Sequence, residues 1–323
     1  MKGKGENGIY GPRWPKLYRY MKENQLGVAA LQETHLTDSD LQWLETNDRF
    51  KVFASSLPGH ESRAAGVAIV INKSLVSLED VEVKIIIPGR AISVTFQWHV
   101  NLRLTVLNIY APSRTELETR TFLEDLLEAY TSQPTLTKPD LLVGDFNMVE
   151  AAHDRSSSEG SSQATVSVLW NLKRHLGLLD AHLAKYPDSR AVIYRSDANP
   201  NYWERLDRAY IKNNLIDWIM DSRVEDTGVE SDHRAMVTTL ECRRAPYIGK
   251  GRWSMPVRLL KSRPFIQKID ACGKAAQERL QAITARTDQL NPQIVLRDFK
   301  AEVKQLAREY DKIVKPRSDE QAL

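Results

Sequence analysis

Five short polar motifs, each directly after an apolar run, hold the residues of this sequence that could carry out chemistry. In chain order they are Gln32-Glu33-Thr34-His35, Asn108-Ile109-Tyr110, Gly144-Asp145-Phe146-Asn147, Arg205-Leu206-Asp207-Arg208 and Ser231-Asp232-His233. Their reactive groups are carboxylates, an amide, a phenol and an imidazole, carried by Glu33, Asp145, Asp207, Asp232, Asn147, Tyr110 and His233. Such a set suits the hydrolysis of a phosphodiester by a hard divalent cation and an activated water.

The segments around these motifs must place them at the rim of a sheet. The apolar runs 28–31 and 141–143 predict short buried strands that lead to Glu33 and Asp145. Further strands are predicted near 51–55, 66–72, 82–88, 91–98, 102–109, 191–195, 206–211 and 234–241. Helices are predicted where apolar residues recur at helical spacing, near 14–21, 122–130 and 164–176. This pattern predicts an α+β fold in which two sheets pack face to face with helices outside them.

Composition limits the class of protein. With 323 residues, of which 42% are hydrophobic and 27% charged, the chain is expected to hold one large folded domain and an appendage. No apolar run approaches the roughly 18 residues of a membrane span, so no membrane partner is expected. The two cysteines, Cys242 and Cys272, match no disulfide or metal motif and favour a reducing, intracellular compartment.

Charge is unevenly distributed along the chain. Residues 243–323 contain 18 Lys and Arg against 9 Asp and Glu, whereas the remainder contains 27 against 33. A basic tail on an acidic body is typical of a protein whose site is rich in carboxylates and whose partner is a polyanion. The alternative is that the basic surface serves solubility alone.

The motifs resemble those of the endonuclease/exonuclease/phosphatase superfamily, the DNase-I-like and AP-endonuclease-like metal phosphodiesterases. Within it the sequence is most similar to the endonuclease domain of non-LTR (LINE-type) retrotransposons. Four segments carry this likeness: Leu31-Gln32-Glu33-Thr34-His35, Asn108-Ile109-Tyr110-Ala111-Pro112, Ser231-Asp232-His233-Arg234 and Gly249-Lys250-Gly251-Arg252-Trp253. The resemblance implies a DNase-I-like four-layer sandwich over residues 1–242. A basic helical linker, 243–323, would then lead toward a reverse transcriptase.

The resemblance also implies roles for the motif residues. It assigns Glu33 to a divalent cation, Mg²⁺ or Mn²⁺, and Asp232 is the second candidate ligand. Asp145 is expected to orient and activate water, and Asn147 to hold a phosphate oxygen or the metal without adding negative charge. The alternatives are an ordinary strand-end glutamate and an Asx turn.

Asp207 and His233 form the expected orienting pair. A carboxylate that accepts from one ring nitrogen fixes the tautomer and leaves the other nitrogen facing the scissile phosphate. Two catalytic roles stay open for His233. It could act as a general base, or it could be protonated and stabilise a phosphate oxygen. The alternative without a catalytic role is a solvated Asp-His turn. Tyr110 could hydrogen-bond the phosphate or the developing oxyanion, or could simply be packed at its strand end.

Two weaker predictions concern nucleic-acid binding. Arg155, in the sequence His153-Asp154-Arg155, could contact phosphate or could form a loop ion pair. Tyr202 and Trp203 follow a polar loop where the resembling enzymes have a hairpin that probes the DNA groove. An exposed aromatic there could stack on a base, and the alternative is a tryptophan in the core.

The start of the chain departs from the family pattern. The family begins with a strand ending in an asparagine that helps position the metal or the phosphate, whereas Met1-Lys2-Gly3-Lys4-Gly5 matches the residues directly after that asparagine. Asn7 has no apolar run before it and is a poor substitute. The first strand is therefore expected to be missing, and the chain as written to be poorly stable and weakly active.

The tail is predicted to form a basic helical hairpin. Two apolar seams with heptad spacing indicate its helices: Ile266, Ile269, Gly273, Ala276, Leu280 and Ile283, then Leu296, Phe299, Val303, Leu306, Tyr310 and Ile313. Asn291-Pro292 separates the two seams and starts the second helix. The hairpin could bind nucleic acid or dock on a reverse transcriptase.

Taken with the resemblance, these observations predict a metal-dependent DNA endonuclease of retrotransposon type that nicks DNA and leaves a 3′-hydroxyl. Its expected partners are DNA and, in a full-length element, a reverse transcriptase domain or the element RNA. Its expected location is the nucleus. Two alternatives are a catalytically impaired nucleic-acid-binding remnant and a phosphatase or lipid phosphodiesterase of the same superfamily.

Overall fold

The computed structural model describes residues 13–99, 102–157, 160–189, 191–196, 199, 201–242 and 255–319. For residue 258 and for 312–319 it describes the backbone alone. The chain divides into two compact units, Met1–Ala245 and Pro246–Leu323. The predictions about Met1–Gly5, Asn7 and Gly249–Trp253 fall outside the described residues.

The first unit alternates strands and helices. Its strands are β1 (Val28–Gln32), β2 (Phe50–Ser55), β3 (Val67–Asn72), β4 (Glu82–Ile87), β5 (Ala91–His99), β6 (Leu102–Tyr110), β7 (Leu141–Asp145), β8 (Leu178–Asp180), β9 (Tyr194–Arg195), β10 (Trp203–Glu204), β11 (Asp207–Lys212), β12 (Ile219–Glu225) and β13 (Ala235–Leu240). Its α-helices are α1 (Arg13–Glu23), α2 (Asp38–Leu44), α3 (Glu116–Ser132), α4 (Gln163–Leu176) and α5 (Ala181–Lys185). Short 3₁₀ helices cover Ala152–Asp154 and Asn213–Trp218.

These strands form two main sheets and two hairpin-like pairs. A six-stranded sheet has the order β4-β5-β6-β7-β11-β8, and a three-stranded sheet has the order β1-β3-β2. All neighbours are antiparallel except β6 and β7, which run parallel because α3 carries the chain back between them. The pairs β12–β13 and β9–β10 complete the described strands. Within the described residues, β1 is hydrogen-bonded to β3 alone.

The two main sheets enclose an apolar core, because successive residues of a strand face opposite sides. From β3, Val67, Ile69 and Ile71 point into this core and meet Ile92 and Val94 of β5. The outer face of the three-stranded sheet is covered by α1 and α2, with Trp14, Leu17 and Leu44 buried. The outer face of the six-stranded sheet is covered by α3 and α4, with Leu123, Leu126, Leu169 and Leu172 buried. The predicted α+β, four-layer sandwich is confirmed.

One predicted strand needs correction, and three strands were not predicted, namely β8, β10 and β12. The strand predicted near 191–195 is reduced to Tyr194–Arg195, because it pairs only with the two residues of β10. The strand β12 was not foreseen. Its buried positions include a serine, Ser222, which is 1% exposed, while Met220 is 47% exposed, so the usual apolar alternation is hidden.

The second unit contains the predicted helical hairpin, formed by α6 (Arg263–Gln281) and α7 (Pro292–Asp319) after a 3₁₀ helix, Val257–Lys261. The predicted seam is wrong at Ile266, Leu280 and Leu296, which are 42%, 41% and 50% exposed. Residues next to two of these positions are buried instead, Phe265 at 0% and Val295 at 3%. The 3₁₀ helix and the two α-helices of this unit provide little apolar surface against which side chains can be buried. Several apolar side chains of α6 and α7 therefore stay exposed.

Among the described residues, no helix combines the length and the apolar character needed to cross a membrane.

Candidate active site

The register of the six-stranded sheet brings three motif residues into one row. Tyr110 at the end of β6 pairs with Asp145 at the end of β7, and Asp145 pairs with Asp207 at the start of β11. Residues paired in this way point to the same face, and neighbouring strands lie roughly 4.8 Å apart. Three motifs that are far apart in sequence therefore meet at one rim of the sheet.

A glycine makes this close approach possible. Gly144, one residue before Asp145, has a φ of 133°. A Cβ atom at this position would lie 2.0 Å from the carbonyl oxygen of Ile109 on the neighbouring strand. Glycine is therefore required both for the backbone conformation and for the contact with β6.

Glu33 joins the row from the other sheet. It follows β1 with a φ of 51°, a conformation that turns the chain out of the strand. Its Oε1 accepts a short hydrogen bond from the hydroxyl of Tyr110. Burial, together with the hydrogen bond to Glu33, raises the pKa of Tyr110 well above its usual range. The phenol consequently stays protonated and remains a hydrogen-bond donor at neutral pH.

Asn108 ties the two sheets together beneath this contact. The side chain is fully buried, and its Nδ2 donates to the backbone oxygens of Leu31 and Ala68, each at 2.9 Å. Its Oδ1 accepts from Nε2 of Gln32 at 2.7 Å. One amide on β6 thus holds β1 and β3, and with them the strand end that carries Glu33. The motif pattern predicted no role for Asn108.

We expect Asn108→Ala to lower stability substantially, because it removes three hydrogen bonds, one buried and two partly buried, and with them the amide that contacts the backbone oxygens of Leu31 and Ala68. Each unsatisfied buried group costs about 1–3 kcal/mol, and each kcal/mol corresponds to roughly 2–4 °C in melting temperature for a domain of this size. Thermal melts should therefore show a fall of about 5–15 °C. Asn24→Ala, at an exposed helix end, is the control and should change stability by less than about 0.5 kcal/mol. Equal melting temperatures for both variants would contradict the assigned role of Asn108.

Asn147 shapes the turn that follows Asp145. Its backbone N–H donates to Oδ1 of Asp145 at 2.9 Å, and its Nδ2 donates to the backbone oxygen of Ala111 at 2.8 Å. Asn147 has a φ of 46°, a conformation that asparagine tolerates better than most residues. The Asx-type contact that was the alternative is therefore present. It fixes the carboxylate of Asp145, and the carbonyl oxygen of the Asn147 side chain is not used in these two contacts.

Asp145 is 7% exposed. Burial raises the pKa of this carboxyl, and the nearby negative charges of Asp207 and Glu33 raise it further, to about 7. The positive charge of His233 and the hydrogen bond from Asn147 oppose the shift. A carboxyl with a pKa near neutrality can exchange a proton with water at physiological pH.

His233 lies beside the row. Its Nδ1 is 2.6 Å from Oδ2 of Asp207, which is the predicted orienting contact. Burial alone would lower the pKa of this imidazole, but the hydrogen bond and the charge of Asp207 outweigh burial and raise the pKa to about 9. The ring of Tyr194 packs against the imidazole with centroids 5.5 Å apart. His233 is therefore held in one orientation and carries a positive charge at neutral pH.

The residues present suit a hard divalent cation. Glu33 and Asp232 are exposed carboxylates. Glu33 contacts Tyr110, and the charge of Asp232 acts on His233. A cation would offset the negative charges that raise the pKa of Asp145. No three His, Cys, Asp or Glu side chains in the described part of the chain form a complete metal cage. Mg²⁺ usually takes one or two protein carboxylates together with waters and substrate phosphates, so an incomplete set of ligands fits this ion.

The three residues predicted to bind nucleic acid lie around one glutamate. Arg155 forms short contacts with Glu204, which is the ion pair given as the alternative, and it is half-buried. The hydroxyl of Tyr202 donates to the same carboxylate at 2.9 Å. Trp203 is partly buried in β10, and its backbone N–H donates to Oγ of Ser156 at 3.1 Å. A role in binding nucleic acid stays a prediction for all three.

A buried ion network behind the site was not foreseen. Nε of Arg205 donates to Oδ1 of Asp154 at 2.7 Å, and Nη2 of Arg208 donates to Oδ2 at 3.1 Å. Nη2 of Arg205 also reaches Asp180 at 2.8 Å. Both arginines are at most 2% exposed and flank Asp207 in sequence. The signal was available, since two arginines in an otherwise apolar strand pattern require buried acidic partners.

Three solved structures share this fold. The AP endonuclease LMAP from Leishmania major is 15% identical, with a TM-score of 0.58 over 71% of this chain and 82% of that chain. The 3′ phosphatase NExo from Neisseria bound to product DNA hairpin is 19% identical, with a TM-score of 0.59 over 71% and 95% of the two chains. The endonuclease domain of TRAS1, a telomere-specific non-LTR retrotransposon, is 17% identical, with a TM-score of 0.52 over 72% and 94%.

The sequence itself also matches a family model, described as the endonuclease/exonuclease/phosphatase family, over residues 11–233. This range spans the row of Tyr110, Asp145 and Asp207 and extends to His233. Because the match covers more than half of the chain, the chain belongs to the endonuclease/exonuclease/phosphatase family, whose members are hydrolases that act on phosphodiester bonds.

Proposed function

We propose that this chain is a Mg²⁺- or Mn²⁺-dependent endonuclease that nicks DNA and leaves a 3′-hydroxyl. The observation that carries the proposal is the convergence of Tyr110, Asp145 and Asp207 in one row, with Glu33 and His233 at its two sides. A bound cation would be held by Glu33 and Asp232. When bound, it supplies Lewis-acid polarisation of the phosphate.

The protonation states of Asp145 and His233 give these two residues different roles in the reaction. Asp145, with its pKa near 7, orients a water molecule and accepts its proton as the water attacks phosphorus. The bond between phosphorus and the 3′ oxygen breaks in the same displacement, and the departing oxygen takes a proton from solvent to become the 3′-hydroxyl. His233, protonated and fixed by Asp207, donates a hydrogen bond to a phosphate oxygen that gains negative charge. Tyr110 donates its hydroxyl proton to Glu33 and so positions that carboxylate, and the carbonyl oxygen of the Asn147 side chain orients the water or the cation.

DNA is the proposed substrate for two reasons. Two of the similar structures are named as DNA-directed enzymes or bound to DNA, namely an AP endonuclease and a phosphatase with a product DNA hairpin. The tail of this chain carries an excess of positive charge, which favours polyanions. By analogy with the retrotransposon endonuclease of similar fold, we propose a reverse transcriptase domain or element RNA as a further partner and the nucleus as the location.

Incubation of the purified chain with supercoiled plasmid tests this proposal. Nicked circles should accumulate with Mg²⁺ or Mn²⁺, and excess chelator should stop the reaction, because the site needs a cation to offset its carboxylates. Nicking that persists in chelator would contradict the metal assignment. Release of phosphate from 3′-phosphorylated oligonucleotides without plasmid nicking would instead indicate a phosphatase. DNA binding without either reaction would indicate an impaired remnant.

A further inference from the structure

A groove of about 490 Å³ lies on the reverse side of the layer that carries His233. Tyr194 and His233 pair as neighbours in an antiparallel bridge, with their rings in contact. Because successive residues of extended chain point to opposite faces, Arg195 and Arg234 face away from these rings. Both arginines line the groove. The groove therefore begins one residue away from the catalytic histidine.

The two arginines are available for an anionic ligand. Both are exposed. Neither has an ion-pair partner among the described residues, and Nη2 of Arg234 donates to the backbone oxygen of Val224 at 3.5 Å. Guanidinium groups bind phosphate oxygens well because their donors match the geometry of the anion.

The opposite wall of the groove is built around an exposed aromatic ring. Tyr186 is 39% exposed, and its hydroxyl donates to Oδ1 of Asp221 at 2.8 Å. Asp221 is also paired with Arg223 at 2.7 Å, so its negative charge is compensated. The ring packs on the buried imidazole of His182, with centroids 5.6 Å apart. Tyr186 is thus a supported aromatic platform, and it shares the groove with two arginines that have no ion-pair partner in the part of the chain that the structure describes.

We infer that this groove binds an unpaired nucleotide of the substrate strand that is separated from the cut by at least one nucleotide. Its base would stack on Tyr186, and its flanking phosphates would contact Arg195 and Arg234. Stacking on aromatic side chains combined with basic groups along the backbone is how proteins hold single-stranded nucleic acid. This inference rests on the proposed function, since it places the ligand of the groove in the same strand that is cut at His233.

Fluorescence anisotropy with a labelled single-stranded oligonucleotide tests the groove in chelator, where no cutting occurs. The double variant Arg195→Gln/Arg234→Gln should bind at least about 10-fold more weakly, and the salt slope should fall by about 1.4, at roughly 0.7 per phosphate contact. Lys84→Gln/Arg103→Gln removes the same charge at the far edge of the sheet, where Arg103 pairs with Glu82. This control should leave both quantities close to those of the unmodified chain.

A second pair of variants tests the stacking. Tyr186→Phe keeps the ring and loses the contact with Asp221, so its affinity should match that of the unmodified chain. Tyr186→Leu should bind about 5- to 100-fold more weakly. Equal affinities for Phe and Leu, or an equal loss for a blunt duplex and a single strand, would overturn the inference.

Plasmid nicking by the unmodified chain, measured in parallel, separates the groove from the proposed function. If the unmodified chain nicks plasmid but the arginine variants bind the oligonucleotide with unchanged affinity, the proposed role of the groove is refuted and the endonuclease proposal stands. Absence of nicking together with weaker binding by those variants would refute the endonuclease proposal and support a nucleic-acid groove.

Discussion

Asp145→Asn is expected to reduce plasmid nicking by roughly 10²–10⁴-fold, the usual contribution of a positioned acid–base group, while stabilising the cation-free fold. The folded-state pKa of Asp145, about 7, lies above its ordinary value of 3.8. Ionisation of this carboxyl therefore costs more in the folded protein than in the unfolded chain. Asparagine keeps an oxygen for the N–H of Asn147 and removes the charge.

The pH dependence of this stability has a defined sign. The contribution of a carboxyl with a raised pKa is fully present below about pH 4 and is lost as pH rises through about 7. The advantage of Asp145→Asn in melting temperature, measured in chelator, should accordingly grow between about pH 4 and pH 7 and then level off. Asp140→Asn, at the other end of β7 beside Lys212, is the matched control and should retain nicking. Nicking by Asp145→Asn within about tenfold of the unmodified chain would contradict its role.

Asp207→Asn is expected to lower the pKa of His233 from about 9 toward its ordinary value of 6.5, because the hydrogen bond and the charge of Asp207 would no longer oppose burial and only the smaller effects of Asp145 and Asp232 would remain. The imidazole would then lose much of its positive charge at physiological pH, and nicking should fall by roughly 10²–10⁴-fold. In the unmodified protein, the stability contributed by His233 is present below about pH 6.5 and is lost as pH rises through about 9. That loss should become smaller in the variant.

NMR titration of the histidine ring signals in chelator measures this directly. His182 provides an internal reference, because burial lowers its pKa and its Nδ1 contacts the backbone oxygen of Ser222 at 3.0 Å. Its titration should be the same in both proteins. A His233 that titrates near its ordinary value in the unmodified chain, or that does not shift in Asp207→Asn, would show that the orienting contact is absent in solution.

Part of the site could be predicted because Glu33, Tyr110 and Asp145 stand where apolar runs end. The run before Glu33 and the run before Asp145 each indicated a buried strand, and strand ends meet at the rim of a sheet. Both strands are present, but every residue of β1 is only partly buried. The pairing of Asp207 with His233 followed from the chemistry of a carboxylate beside an imidazole. The distances between these side chains, and the row that Asp145 and Asp207 form with Tyr110, depend on the register between strands. No local sequence pattern specifies that register.

Other features escaped prediction because their partners are distant in sequence. Asn108 has the neighbours of an ordinary strand residue, and only the packing of two sheets shows that its amide reaches Leu31 and Ala68. Arg155 could have contacted phosphate or a carboxylate, and the outcome was decided by Glu204, which lies on β10. In the tail, the heptad pattern correctly indicated helices but not which of two adjacent apolar residues would be buried.

Asp145 and His233 are proposed to act in one site on one phosphodiester. A double-mutant cycle on single-turnover plasmid nicking with Mg²⁺ tests this most directly, using Asp145→Asn, His233→Ala and the combined variant. Groups that act as a unit have strongly non-additive effects, so the combined variant should be about as slow as the slower single variant. If the two losses instead multiply, or if the combined variant still nicks at the rate of the unmodified chain, the two residues do not share a catalytic site.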